Sequence, residues 1–204
     1  MYQRFYNEVI CVKLYLFIRF FVVLPVRLLF NLRVKGRENI PKEAFVLCSN
    51  HVSAADPLLL AIAFPTPIRF VGKEEVMGNW FLRMIAKIDG LIPINRGTAD
   101  LKAMRACLNA IKNGDNVGIF PQGTRMHGVP QPESALPGTG LIILHTKAPV
   151  VPVSIITKDN RVRLFRKCTV VIGEPIRYEE YSAAATTSAE AAKYCFTKVC
   201  EKFE

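Results

Sequence analysis

The chain has 204 residues, half of them hydrophobic, which suits one domain with a sizeable core and at most a small appendage. Its net charge of +10 points to an anionic partner. No helix-turn-helix, zinc-finger or RNP-type pattern is present, so nucleic acid ranks below a membrane surface or a phosphate-bearing substrate.

The first predicted element is apolar but interrupted. From Phe5 to Leu32 the chain is rich in Leu, Phe and Val, yet Glu8, Lys13, Arg19 and Arg27 punctuate it. A spanning helix needs about 20 predominantly apolar residues. Here the longest uninterrupted run is Phe20 to Val26, with Pro25 inside it. At roughly 100° per residue, Arg4, Glu8, Lys13, Arg19, Arg27 and Arg33 share one arc of about 180°, with Ile10 and Leu24 in the opposite half. The pattern predicts helices lying in a membrane interface over 1–34, kinked or split at Pro25. The plainer alternative is an amphipathic helix packed on the core.

Beyond Val34-Lys35-Gly36 the pattern alternates between strand and helix, which predicts one α/β domain over 35–204. Strands are expected over 45–49, 68–71, 117–120, 150–155 and 169–172. Helices are expected over 57–63, 80–88, 101–112, 140–146 and 188–202. The helix over 101–112 has Thr98 or Asp100 near its start and Gly114 just past its end, as a capped helix should. Alternating elements imply a largely parallel sheet flanked by helices, and sites in such sheets gather where strands end. The Ala- and Thr-rich stretch over 183–192 reads as a surface loop running into the last helix. Six cysteines (Cys11, Cys48, Cys107, Cys168, Cys195, Cys200) show neither CxxC nor metal-ligand spacing. They read as small hydrophobes in a reducing compartment, and no signal-peptide cleavage pattern precedes them.

Four segments carry chemistry. Asn50-His51-Val52-Ser53-Ala54-Ala55-Asp56-Pro57 places an imidazole five residues before a carboxylate. Five residues along one helix would set those side chains about 140° apart, so they meet only if the chain turns between them. Pro57 favours that turn, because the residue before a proline is pushed out of the helical region. Asp56 before Pro57 also has the plain signature of a helix N-cap with proline at N1. Three cationic groups then follow predicted strands or apolar segments: Lys73 in Gly72-Lys73-Glu74-Glu75, Arg96 in Ile94-Asn95-Arg96, and Arg125 in Phe120-Pro121-Gln122-Gly123-Thr124-Arg125. Arginine grips phosphate with two parallel hydrogen bonds, threonine adds a hydroxyl, and glycine admits close backbone approach. Singly each cation reads as a solvated surface charge; together with the His–Asp pair they suggest a site. His127, two residues after Arg125, is a further candidate, whereas His145 reads as an ordinary residue near a helix C-terminus.

These blocks resemble the glycerolipid acyltransferase family, most of all its 1-acylglycerol-3-phosphate (lysophosphatidic acid) acyltransferases. The His-x4-Asp block matches His51 to Asp56. The second block is similar to Phe70-Val71-Gly72-Lys73-Glu74-Glu75 with Ile94-Asn95-Arg96. The third, usually Phe-Pro-Glu-Gly-Thr-Arg, matches Phe120 to Arg125 except at Gln122. The fourth, an apolar Val-Pro-Val strand, matches Val151-Pro152-Val153. Four blocks in order cover roughly residues 35 to 177. Gln122 is the departure: an amide keeps hydrogen bonds but supplies no negative charge.

The resemblance implies transfer of a fatty acyl group from a thioester to the sn-2 hydroxyl of lysophosphatidate, giving phosphatidic acid. His51 would act as general base and Asp56 would orient it. Lys73, Arg96 and Arg125, with Gln122, Gly123 and Thr124, would receive the substrate. Backbone amides around Gly123 are candidates for the oxyanion donors. The nucleophile belongs to the substrate, with Ser49 and Ser53 to be excluded. A thiolate leaves readily, so no metal or resident cofactor is expected; acyl-CoA or acyl carrier protein is the donor substrate. The expected location is the cytoplasmic face of a membrane, with monotopic attachment and no nucleic-acid partner. The alternatives are another acceptor (glycerol 3-phosphate or another lysophospholipid), a thioesterase, and a non-catalytic lipid-binding module.

Overall fold

The computed structural model describes residues 21, 23–72, 90–94 and 100–203. Seven strands form one sheet: β1 (Leu32–Lys35), β2 (Val46–Ser49), β3 (Ile68–Gly72), β4 (Leu91–Pro93), β5 (Asn116–Ile119), β6 (Val150–Thr157) and β7 (Cys168–Ile172). Their spatial order is β1-β7-β6-β2-β5-β3-β4. Pairing is parallel from β6 through β4. It reverses once, between β6 and β7, and β1 then runs parallel to β7. The helices are α1 (Asp56–Ala63), α2 (Leu101–Lys112), α3 (Pro137–Thr146), α4 (Tyr178–Ala183) and α5 (Ser188–Cys200).

Side chains on a strand alternate between faces, and β2 shows what that does here. Leu47 joins α1 residues Leu59, Leu60 and Ile62 in one apolar cluster. Val46 and Cys48 join a second cluster with Cys107 of α2, Ile143 of α3 and Phe196 of α5. The central strand is buried on both faces, as a parallel sheet between helix layers requires. Local signals agree with the packing. The Asp100 carboxylate accepts hydrogen bonds from the Lys102 and Ala103 amides at 3.0 Å each, capping α2. A Thr187–Glu190 capping box opens α5. Helices α3 and α5 approach so closely that a Cβ on Gly140 would lie 1.7 Å from the Ser188 carbonyl oxygen.

Three expectations are corrected. β1 takes residues 32–34 from the segment expected to be helical: Leu32 is buried, Val34 packs on the core, and the alternation belongs to a strand pairing with β7. Helical residues over 23–29 precede it. The loop expected over 183–192 is only 184–187, because α4 ends at Ala183 and α5 starts at Ser188. Last, α5 stops at Cys200 and continues as a short 3-10 turn. The helix expected over 80–88, and most of the interface segment over 1–34, lie outside the described residues. Among the described residues no helix is long and apolar enough to cross a membrane.

Candidate active site

Parallel pairing decides which loops meet. β2, β5, β3 and β4 all end on one edge of the sheet, and Cys48 of β2 sits opposite Ile119 of β5. The loop carrying His51 therefore emerges beside the loop carrying Gln122 to Arg125. β3 and β4 end on that same edge at Gly72 and Pro93; Lys73 and Arg96 themselves lie outside the described residues.

His51 and Asp56 meet across the expected turn. His51 Nδ1 lies 2.8 Å from Asp56 Oδ2, with the aspartate side chain fully buried and the histidine 16% exposed. The same oxygen accepts the Val52 amide at 2.7 Å and the Ser53 amide at 2.8 Å. A carboxylate holding two backbone N–H groups can bond the ring only if Nδ1 carries the proton. That leaves Nε2 as the acceptor. Asp56 does not act as the N-cap: it is the first residue of α1, and its carboxylate reaches back to the preceding loop instead of forward to helix amides. Asp56 Oδ1 is buried without a hydrogen-bond partner.

Contacts remote in sequence hold the histidine. Phe120 stacks on its ring at 4.1 Å between centroids, and Phe70 stacks on Phe120 at 5.8 Å. Gln122 is buried, and its Oε1 accepts the His51 amide at 3.1 Å. Its Nε2 faces Met126 Sδ at 3.2 Å and Ser134 Oγ at 3.4 Å. The Met126 amide donates to the His51 carbonyl at 2.8 Å, so the two loops are fastened twice. Thus Gln122, expected among the substrate ligands, spends its polar atoms joining loops. Asn50 had no signal in the sequence. Its side chain donates to the Ile155 carbonyl at 3.0 Å and accepts the Ile155 amide at 2.8 Å, fixing the base of the histidine loop to β6.

Other candidates sort cleanly. The Gly123 amide donates to the Phe120 carbonyl at 2.9 Å, which removes it from the possible oxyanion donors. Gly123 has φ +65°, which strains any other residue, and a Cβ there would lie 2.5 Å from Leu136 Cδ1, which would have to move. Thr124, Arg125 and His127 are exposed beyond this turn. Ser49 Oγ is buried and donates to the Asn50 carbonyl, and Ser53 Oγ accepts the Ala55 amide at 3.2 Å. The His51 ring bonds Asp56, not either hydroxyl. His145 bonds its own helix at the Leu141 carbonyl. Among the described residues no group of three or more His, Cys, Asp or Glu is placed to hold a metal ion. The five described cysteines are buried.

Residues 31–156 match the Acyltransferase family model, a span that contains the His51–Asp56 pair and the whole 120–125 loop. The chain belongs to the acyltransferase family. A 1-acyl-sn-glycerol-3-phosphate acyltransferase of Bacillus subtilis is 27% identical over 157 residues, covering 74% of this chain and 77% of that protein. One of Borreliella burgdorferi is 29% identical over 134 residues, covering 62% of this chain. The match spans 52%, about half, of the Borreliella protein's length. The crystal structure of the 1-acyl-sn-glycerophosphate acyltransferase of Thermotoga maritima superposes with a TM-score of 0.65 at 24% identity, covering 90% of this chain and 79% of that one. This likeness shows the fold: a mostly parallel mixed sheet flanked by helices.

Proposed function

We propose that this acyltransferase moves a fatty acyl group from a thioester to the sn-2 hydroxyl of 1-acylglycerol 3-phosphate, forming phosphatidic acid. The observation that carries the reading is the 2.8 Å His51–Asp56 contact, on the strand-end edge and inside the family match. The relatives named for this reaction supply its substrate class.

In this reading the neutral imidazole, with its proton on Nδ1, takes the hydroxyl proton at Nε2. The hydroxyl oxygen attacks the thioester carbonyl, the tetrahedral intermediate collapses, and the thiolate leaves and is reprotonated by the imidazolium. Asp56 fixes the tautomer and stabilises the imidazolium. General-base assistance of this kind is worth about 10²–10⁴-fold. Gln122 and Asn50 act as positioning residues, through the His51 amide and β6 respectively. Arg125 and Thr124, with Lys73 and Arg96, bind the acidic headgroup. The oxyanion donor is an amide other than that of Gly123. Acyl-CoA or acyl carrier protein supplies the acyl group as a substrate, with no resident cofactor, and the enzyme works at a membrane surface through its N-terminal segment.

The test is purified protein incubated with labelled acyl thioester and a panel of acceptors. The reading expects phosphatidic acid from lysophosphatidate as the fastest product. Preferential acylation of glycerol 3-phosphate or an uncharged lysolipid would displace the acceptor, and free fatty acid alone would make the protein a thioesterase.

A further inference from the structure

The turn between β6 and β7 has a composition that the site does not use. Thr157 pairs with Cys168, so residues 158–167 form the hairpin's end. That stretch holds five cations (Lys158, Arg161, Arg163, Arg166, Lys167) against one acid, Asp159, which lies 4.0 Å from Arg163. In its second half Leu164 is 55% and Phe165 74% exposed, the latter with φ +59°. A bulky residue in the left-handed region is uncommon, and here the ring stands in solvent. The turn is nonetheless anchored. Val162 packs on the core, the Phe165 amide donates to the Leu29 carbonyl, and the Cys168 amide donates to the Asn31 carbonyl.

Its place in the fold gives this surface a direction. β6 runs parallel to β2, with Val153 opposite Ser49, and continues four residues beyond that point. At about 3.3 Å per residue it carries the turn roughly 13 Å past the end of β2, on the edge where His51 sits. The helical residues over 23–29 end beside it and expose Leu24 and Leu28. One edge of the sheet thus presents two exposed apolar side chains in the turn, an adjoining helical segment with exposed leucines, and five cations within ten residues.

We propose that the β6–β7 hairpin is a membrane contact in its own right: Leu164 and Phe165 enter the acyl-chain boundary of an anionic phospholipid surface while Arg161, Arg163, Arg166 and Lys167 meet its phosphates. An interfacial element needs this pairing of apolar side chains and basic flank. An acidic carrier protein would use the cations alone, whereas exposed Leu164 and Phe165, bonded through the Phe165 amide to Leu29 of the helical segment that exposes Leu24 and Leu28, fit a lipid surface. The contact would hold the His51 edge at the bilayer, which rests on the lipid-acceptor reading above for its purpose.

The experiment is flotation of the full chain with phosphatidylcholine vesicles, with and without phosphatidylglycerol. The L164S/F165N variant, with an asparagine that tolerates positive φ, should bind both kinds of vesicle about tenfold less or weaker still. The R161Q/R163Q/R166Q variant should lose chiefly the preference for phosphatidylglycerol, about fivefold per arginine. Both should keep the parent's melting temperature and its turnover of dispersed short-chain lysophosphatidate. Unchanged vesicle binding in both variants overturns the proposal. So does an arginine variant that binds vesicles normally but has lost affinity for acyl carrier protein. Flotation involves no turnover, so an inactive parent showing the same partition pattern would remove the function assigned to His51 and leave the hairpin contact standing.

Discussion

Replacing Asp56 by asparagine separates charge from shape. In the parent, Oδ2 accepts three hydrogen bonds, from His51 Nδ1 and the Val52 and Ser53 amides, while buried Oδ1 accepts none. An asparagine can keep all three only with its carbonyl at the Oδ2 position. The flipped rotamer would set an NH2 group against three donors. In the permitted orientation the NH2 takes the place of Oδ1, where it finds no acceptor, at a cost of about 1–3 kcal/mol. For a chain of this size that lowers Tm by a few degrees, at about 2–4 °C per kcal/mol. The ring keeps its tautomer, since Nδ1–H still has an oxygen to meet. What disappears is the negative charge facing the imidazolium. Two unit charges about 4 Å apart at an effective dielectric near 20 interact by about 4 kcal/mol, or roughly 10³ in rate. Initial rates at saturating lysophosphatidate and acyl thioester measure kcat, and a thermal melt measures the structural cost. A kcat within about threefold of the parent, in a variant that is folded, would refute the electrostatic role of Asp56.

Three other expectations concern support rather than chemistry. Gln122→Ala removes the acceptor of the His51 amide and both contacts of Nε2; kcat should fall about tenfold or more, with Gln122→Glu recovering most of it because an acceptor oxygen returns. Equal loss in both variants would show that the amide group itself is required. Asn50→Ala leaves the buried Ile155 amide and carbonyl without their partners. Thermal or denaturant unfolding should show a loss of about 2–4 kcal/mol, and an unchanged midpoint would detach the histidine loop from β6. Burial pushes the Cys107, Cys168 and Cys195 thiols up from 9.0 to about 12, with the Asp56 charge adding to the effect at Cys168. The unfolded chain releases those protons near pH 9 and the folded one keeps them, so stability falls as pH rises from about 9 toward 12. Melting curves across that range check the slope, and resistance of the native thiols to iodoacetamide at pH 8 checks the burial.

Much of the arrangement was legible because its signals are local. Proline after Asp56 and the five-residue spacing were enough to predict the turn that joins Asp56 to His51. Asp100 and Gly114 bracket α2 as their positions suggested, and the apolar runs that became β2, β5 and β6 stood out. Elements whose reason for existing is a distant partner were harder to see. β1 is four residues that follow an apolar helical pattern, and only pairing with β7 makes them a strand. β4 is three residues ending in proline, stabilised by β3. Asn50 bonds a residue 105 positions away and Gln122 one 71 positions away. Neither contact has a local signature, since each exists only once β2 lies between β6 and β5. The third block showed Gln122 as a departure from the family pattern, but its partner became visible only with the sheet order.

The most direct measurement is the single-turnover rate of His51→Ala with lysophosphatidate and an acyl thioester, alongside vesicle flotation and a thermal melt. If the imidazole removes the hydroxyl proton, the rate drops by about 10²–10⁴ while the protein still floats with vesicles and melts cooperatively. A folded, vesicle-bound His51→Ala protein that forms phosphatidic acid within a few-fold of the parent rate would mean that another group takes that proton.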